Sequence, residues 1–286
     1  MSTTNVSPVF MPAEGDLDFG GVIRSEWVKF RSVRSTWWVY AILLTVTVGI
    51  GAQMSSSLSF DGMPGVPTQD AIQDMAVYAV TVSTDFGALI VGVLGVIVIA
   101  GEYGTGMIQS TVTAVPRRLP VLLAKALVLA VATFVVSAVT FAITVPVSVW
   151  LLEGSGVAVR LDDPQYWIAL LGGAGYLVLV GLIAFSIGAV LRSTAGGIGA
   201  TFGLLLVAPL VANFLPTGAQ NIAILFPSVA GDLLMSYPTE QSWVDLAAPT
   251  AVSDWITEPW QAGLTLIAWA AVLFTAAAVL LKQRDA

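Results

Sequence analysis

The sequence predicts an all-α integral membrane protein with six transmembrane helices, and three observations carry that expectation. Of 286 residues, 57% are hydrophobic and only 10% charged, with a mean hydropathy of +0.88, where a soluble domain carries about 25% charged residues. Six apolar runs approach the roughly 20 residues that cross a hydrocarbon core of about 30 Å; they cover residues 37–52, 80–100, 121–150, 166–191, 198–215 and 262–281. Charge supplies the third observation. With the N-terminus inside, ten of the 11 Lys and Arg residues fall on the inner face and only Arg160 outside, as the positive-inside rule requires. Six of the 18 acidic residues are inside, and the other 12 are outside or, for Asp85, in the outer part of span two. Both termini are therefore expected in the cytoplasm.

Residues 1–18 hold Glu14, Asp16 and Asp18 but no Lys or Arg. They lack the basic start and apolar stretch of a secretory signal and read as a cytoplasmic tail. Over 19–35, Phe19, Val22, Ile23, Trp27, Phe30 and Val33 recur at spacings of three and four and continue to Trp37, with Arg24, Ser25, Arg31 and Ser32 opposite. This predicts an amphipathic helix lying in the inner interface and leading into span one. A membrane anchor with snorkelling Arg and Lys stems would use the same pattern. Glu26 falls inside the apolar stripe, where a carboxylate is costly unless paired, and Lys29 one turn on is the local partner.

Span one is short and borrows from Thr36 or from residues past Ala52, while span three is long enough to tilt or to continue past the surface. The outer connections 53–79, 151–165 and 216–261 are long and acidic. Within the last, 221–235 is apolar but broken by Pro227 and Gly231. It is too short to span, so one or two short helices are expected at the outer interface before span six.

The chain has no His and no Cys, which excludes imidazole and thiolate metal sites, His-assisted nucleophiles and disulfides. The one adjacent acidic pair, Asp162-Asp163, precedes Pro164 and reads as a helix start. The inner segment 101–120 carries Gly101, Gly104 and Gly106 but matches neither phosphate-binding glycine pattern, and no catalytic, metal or cofactor-binding residues are expected. The segment has a flexible opening, a stretch 107–115 able to form a short helix, and Arg117-Arg118 closed by Pro116 and Pro120. It fits an ordinary inner loop and a docking element for a cytoplasmic partner equally well.

Polar groups within the spans are functional candidates, because an unpaired charge in hydrocarbon is expensive. Asp85 would either line a translocation path or bond a local hydroxyl such as Thr81 or Ser83. Asn213, four residues after Pro209, would line the path or stabilise a kink. Gly199 and Gly203 form a G-x-x-x-G that allows close helix approach, within the chain or across a dimer interface. Thr84, Ala88 and Gly92 repeat small residues in span two. Rows of buried acids, as in a proton-driven carrier, are missing.

The run Arg24-Ser25-Glu26-Trp27-Val28-Lys29-Phe30-Arg31-Ser32, followed by Glu102-Tyr103-Gly104-Thr105-Gly106-Met107 leading to Pro116-Arg117-Arg118 and Lys125, resembles permease subunits of ATP-binding-cassette (ABC) transporters of the type-2 exporter class, especially actinobacterial ones. The resemblance in layout covers nearly the whole chain. It implies an elbow helix at 19–35, a coupling helix within 102–118 that seats on an ATPase, and an extracellular helical hairpin at 221–235. It further implies a homo- or heterodimer of permeases in a bacterial plasma membrane with two separate ABC ATPase subunits, which bind ATP and Mg; this chain would hold no cofactor. Glu102, Arg117 and Arg118 would couple to the ATPase, and Glu26, Lys29 and Arg31 would make the elbow-helix contacts.

The same residues fit other classes less well. A self-contained carrier needs an ion site or polar pore stripe, and a lipid-modifying enzyme needs a clustered acid, base or metal at the interface; the sequence offers neither. A membrane-embedded immunity, assembly or regulatory protein would share the layout. Nucleic acid is not an expected partner at net charge −7.

Overall fold

The computed structural model describes residues 19–58, 68–105, 118–212, 214, 216, 220–239, 256 and 258–284. Among them all regular structure is helical: α1 (Phe19–Ser32), α2 (Arg34–Ser57), α3 (Gln69–Thr81), α4 (Thr84–Thr105), α5 (Arg118–Gly154), α6 (Pro164–Leu191), α7 (Thr194–Phe202), α8 (Ala208–Ala212), α9 (Pro227–Leu234) and α10 (Pro259–Arg284). Six segments are long and apolar enough to cross a membrane, and each contains or overlaps one of the six expected runs. The tail 1–18 lies outside the described residues.

Three local features depart from the simplest reading of the runs. The first amphipathic helix ends at Ser32, and Val33 is extended before α2 begins at Arg34. The corner is held by the Trp37 indole, which donates to the Arg31 carbonyl at 2.9 Å, and by Ser32 Oγ, which donates to the Lys29 carbonyl. The acidic connection 53–79 contains α3, capped by Thr68, whose Oγ1 accepts from the Ala71 amide. Span five is interrupted by a π-helical turn, Gly203–Val207, between α7 and α8. Pro209 explains it, since proline offers no amide and crowds the carbonyl four residues back, and one extra residue per turn relieves that.

The bundle is centred on α6, whose Tyr176, Ile183 and Phe185 are fully buried. Glycine sets its contact with α4. A Cβ on Gly95 would lie 2.4 Å from the Gly181 carbonyl oxygen and 3.0 Å from the Phe185 nitrogen, so the two backbones touch as small-residue helix pairs do in lipid. On the other flank a seam of hydroxyls joins α2 to α5: Tyr40 and Thr133 share a hydrogen bond of 2.9 Å, and Thr140, Thr144 and Ser148 continue the α5 face. The 3-10 turn Gln220–Leu225 and α9 are the short helices in the 221–235 region; the Trp269 indole donates to the Leu225 carbonyl, tying them to α10.

One end of the bundle carries Glu26, Glu102, Lys125 and Arg192, and the opposite end carries Asp70, Asp85, Asp163 and Asp232; these are called the basic and acidic ends below. At the acidic end Asp163 caps α6, accepting from the Gln165 amide at 2.9 Å ahead of Pro164 in the first turn. Its other oxygen accepts from the Tyr237 hydroxyl at 2.6 Å and from Gln73. Gln73, buried on α3, also pairs its amide with both the N–H and the C=O of Arg160. The latch therefore joins α3, the α5–α6 connection and the chain leaving α9. The Tyr237 hydroxyl is the main cause holding the Asp163 carboxyl below its ordinary value.

A carboxyl whose pKa is lowered on folding contributes stability that is complete above the unfolded value of about 3.9 and lost as pH falls through the folded value. The unfolding midpoint of the wild-type chain should accordingly drop below about pH 4 more steeply than that of Tyr237→Phe. At neutral pH that variant should be about 1–2 kcal/mol less stable, the scale of a hydrogen bond to a charged group. Identical acid profiles for the two chains would show the latch contributes nothing.

Candidate functional site

The basic end holds a buried ion cluster built by three helices. Glu26 sits on the face of α1 that packs against the bundle, with Val22 one turn earlier, so the spacing that places Val22 inside also places the carboxylate there. Lys125 is seven residues into α5, about 10 Å along the helix at 1.5 Å per residue, which carries it from the helix end into apolar surroundings. Glu102 lies in the last turn of α4. Lys125 Nζ donates to Glu26 Oε2 and to Glu102 Oε1, each at 2.5 Å, and Lys29 Nζ reaches Glu26 Oε1 at 2.9 Å. The side chains of Glu26 and Lys125 are only 4% and 5% exposed, and that of Lys29 is 39% exposed.

The electrostatics are closely balanced. A carboxylate at a helix C-terminus faces the negative end of the macrodipole, and the Lys125 ammonium offsets this for Glu102. Among the described ion pairs two carboxylates meet two ammonium groups, the balance that a low-dielectric position favours. Next to it, the Arg192 guanidinium lies 5.1 Å from the centre of the Tyr103 ring, a cation–π contact. Arg192 caps α6 in the left-handed region at φ 51°, a conformation that costs a non-glycine residue roughly 1–2 kcal/mol. The stack on Tyr103 helps to hold it there, and it joins the α6–α7 corner to the base of α4.

Among the described residues the arrangement is a set of mutually paired charges. Its chemical capacity is mechanical: α1, the end of α4 and the start of α5 cannot separate without stranding a buried charge. Because α4 and α5 flank residues 106–117, the cluster stands where the chain enters and leaves that segment.

Of the residues singled out in the sequence, Glu26, Lys29 and Glu102 are brought together here. Arg31 is exposed, and its backbone carbonyl rather than its side chain takes part in the α1–α2 corner. Arg117 and Asn213 lie outside the described residues, as does the stretch 107–115; Arg118 opens α5, but its side chain is not described. Asp85 stands in the first turn of α4 at the acidic end, open to water. Thr84 and Ala88 are buried and Gly92 faces Thr201, so that repeat packs within the chain. Gly199 of α7 and Gly203 at its end meet no described atom within 4 Å of an added Cβ, so the described residues leave that face uncovered.

The residue that sequence reasoning left without a role in the cluster is Lys125. The available signal was its depth in an apolar run: a lone ammonium two turns into a span needs a partner. A second concave feature, a polar cavity of about 310 Å³ at the acidic end, is lined by Gln69, Asp70, Gln73, Arg160 and Tyr237 among others. Among the described residues no three His, Cys, Asp or Glu side chains are grouped to hold a metal ion. No family model matches the chain, and no curated protein matches it either.

Proposed function

We propose that this chain is the transmembrane permease subunit of an ATP-driven exporter of the ABC type, working as a dimer beside separate ATPase subunits in a bacterial plasma membrane with both termini cytoplasmic. The observation that carries the reading is the Glu26–Lys125–Glu102 cluster. It locks α1, placed as an interfacial elbow helix would be, to both helices that frame the segment 106–117. A push on that segment by a closing ATPase dimer would then move α1, α4 and α5 together, and with them the core built on α6. The uncovered small-residue face of α7 at Gly199 and Gly203 supports a second copy as neighbour. The absence of a nucleotide-binding pattern in the sequence agrees with ATP and Mg being bound elsewhere.

The test is co-purification of the tagged chain, expressed with its neighbouring genes, followed by ATPase assay. An ATPase subunit should be retained by the native chain and lost or uncoupled by the charge reversal Arg117→Glu with Arg118→Glu. Retention of no ATPase in mild detergent would sink the exporter reading and leave a membrane-embedded immunity, assembly or regulatory role.

A further inference from the structure

The polar cavity at the acidic end sits where α3, the α5–α6 connection and the chain leaving α9 meet. Its buried side is built by Gln73, 1% exposed, and Tyr237, 8% exposed. Both are committed to the latch: Gln73 holds the Arg160 backbone at 2.8 and 2.9 Å, and the Tyr237 hydroxyl donates to Asp163 at 2.6 Å. Asp163 is engaged as well, since its two oxygens accept from the Gln165 amide, Gln73 and Tyr237. The exposed part of the lining differs. The Arg160 guanidinium and the carboxylates of Asp70 and Asp162 border the same cavity, yet among the described residues none of the three makes a side-chain hydrogen bond or an ion pair.

The backbone supplies the reason. Gln73 pairs with both the N–H and the C=O of Arg160, which holds the chain carrying the guanidinium in place, and Asp163 is fixed as the cap of α6. Opposite charges therefore share a cavity of about 310 Å³ without closing on one another, and cavities of about 300–1,000 Å³ are the size that takes small ligands. A cation alone would face the guanidinium, and an anion alone would face the carboxylates. The acids are not grouped to hold a metal ion. A ligand carrying both signs satisfies both sets of groups.

The cavity also lies at headgroup depth. Helix α6 starts at its Pro164 wall and runs to Arg192 at the basic end. Trp167, one turn in, is 41% exposed and donates its indole N–H to the Leu161 carbonyl at 2.9 Å, an apolar body with a satisfied polar edge as at membrane interfaces. Pro164, Ile168 and Leu171 follow at spacings of four and three on one face of α6, and Ile168 and Leu171 are 57% and 55% exposed. The described residues thus leave an open apolar strip leading from the cavity wall into the span. We infer that the cavity binds the headgroup of a phosphatidylethanolamine-type lipid, with its phosphate on Arg160, its primary ammonium on Asp70 and Asp162, and an acyl chain along Ile168 and Leu171. A guanidinium fork matches phosphate oxygens, and an ammonium brings three N–H donors to the carboxylates. The site needs the six spans and no ATPase, so its test is independent of the exporter reading.

Native mass spectrometry of the purified full-length chain in detergent reads the site, with phosphatidylethanolamine, phosphatidylcholine and phosphatidylglycerol of matched acyl chains in competition. Phosphatidylethanolamine should be retained about tenfold over the other two, the scale of one charge-assisted contact, because choline has no N–H donor and glycerol no positive charge. The double variant Asp70→Asn/Asp162→Asn should bring phosphatidylethanolamine down to the phosphatidylcholine level, and Arg160→Gln should lower its retention about tenfold by removing the phosphate partner. These side chains are exposed and unpartnered among the described residues, so the variants leave the latch intact and test binding rather than folding. Glu153→Gln, an exposed acid outside the cavity lining, should change nothing. Glycerophosphoethanolamine, the same headgroup without acyl chains, should not displace the lipid at equal concentration; displacement would make the occupant a soluble zwitterion and overturn the lipid assignment. Equal retention of the three lipids, or wild-type retention of phosphatidylethanolamine by either variant, overturns the site itself.

Discussion

Lys125→Met should destabilise the folded chain by about 3–5 kcal/mol, the cost of removing one partner from a buried ion pair and leaving charge uncompensated. Glu26 and Glu102 both bond the same ammonium, and methionine fills the stem's volume while supplying no donor. Lys29→Met is the internal comparison: its ammonium is 39% exposed and sits in a local i,i+3 pair, so its loss should cost about 1 kcal/mol or less. Neutralising the acids as well, in Lys125→Met with Glu26→Gln and Glu102→Gln, should recover much of the loss, because apolar or neutral replacement of a whole buried cluster is often tolerated. Denaturant unfolding in mixed micelles reads all four chains. Equal losses for Lys125→Met and Lys29→Met would mean that the cluster is solvated and cannot act as a rigid link. If the permease proposal holds, the rescued triple variant should fold yet lose coupling, since stability is restored without the tie between α1 and the helices framing 106–117.

Gly95→Ala should cost about 3 kcal/mol, at the upper end of ordinary overpacking. The added carbon would lie 2.4 Å from the Gly181 carbonyl oxygen and 3.0 Å from the Phe185 nitrogen. Both are backbone atoms of α6, so no rotamer change relieves the clash and the helices must part by about 1 Å along a close-packed contact. Gly199→Ala and Gly203→Ala add the same carbon where no atom of the described chain lies within 4 Å. They should leave monomer stability unchanged, and any loss of self-association they cause would report contact with a second copy. Thermal unfolding of the three variants, with crosslinking for the last two, separates these outcomes. A Gly95→Ala chain as stable as the wild type would show that α4 and α6 are not in backbone contact.

The same glycines show where local reading reaches its limit. Small residues every four positions recur in several spans, and nothing in a heptad of sequence says which neighbour they will meet. Gly95 carries no signal of its own in the sequence and sits at a tight crossing, whereas the G-x-x-x-G at Gly199 and Gly203 faces away from the described chain. Helix α3 was hidden for a different reason. The acidic composition of 53–79 suggested a connection, yet Thr68 caps a segment whose Ile72, Met75, Ala76, Ala79 and Val80 keep helical spacing, a pattern that was present to be read. The break at Val33 had no comparable signal, since it depends on the Trp37 indole reaching back to the Arg31 carbonyl.

What the sequence determined by itself follows from properties that act over one span at a time. Hydropathy over some 20 residues located all six apolar helices, because the cost of an unsatisfied backbone in lipid is set locally. Asp163 ahead of Pro164 announced the start of α6, because a cap acts over three residues. Glu26 was recognisable as a carboxylate in need of a partner, and Lys29 was within local reach. Only the tertiary structure decided that the principal partner is Lys125, 99 residues away, and that the Asp163 cap also accepts from the Tyr237 hydroxyl, 74 residues on. Electrostatic and hydrogen-bond terms depend on distance in space, and local periodicity carries no information about which helices will be neighbours.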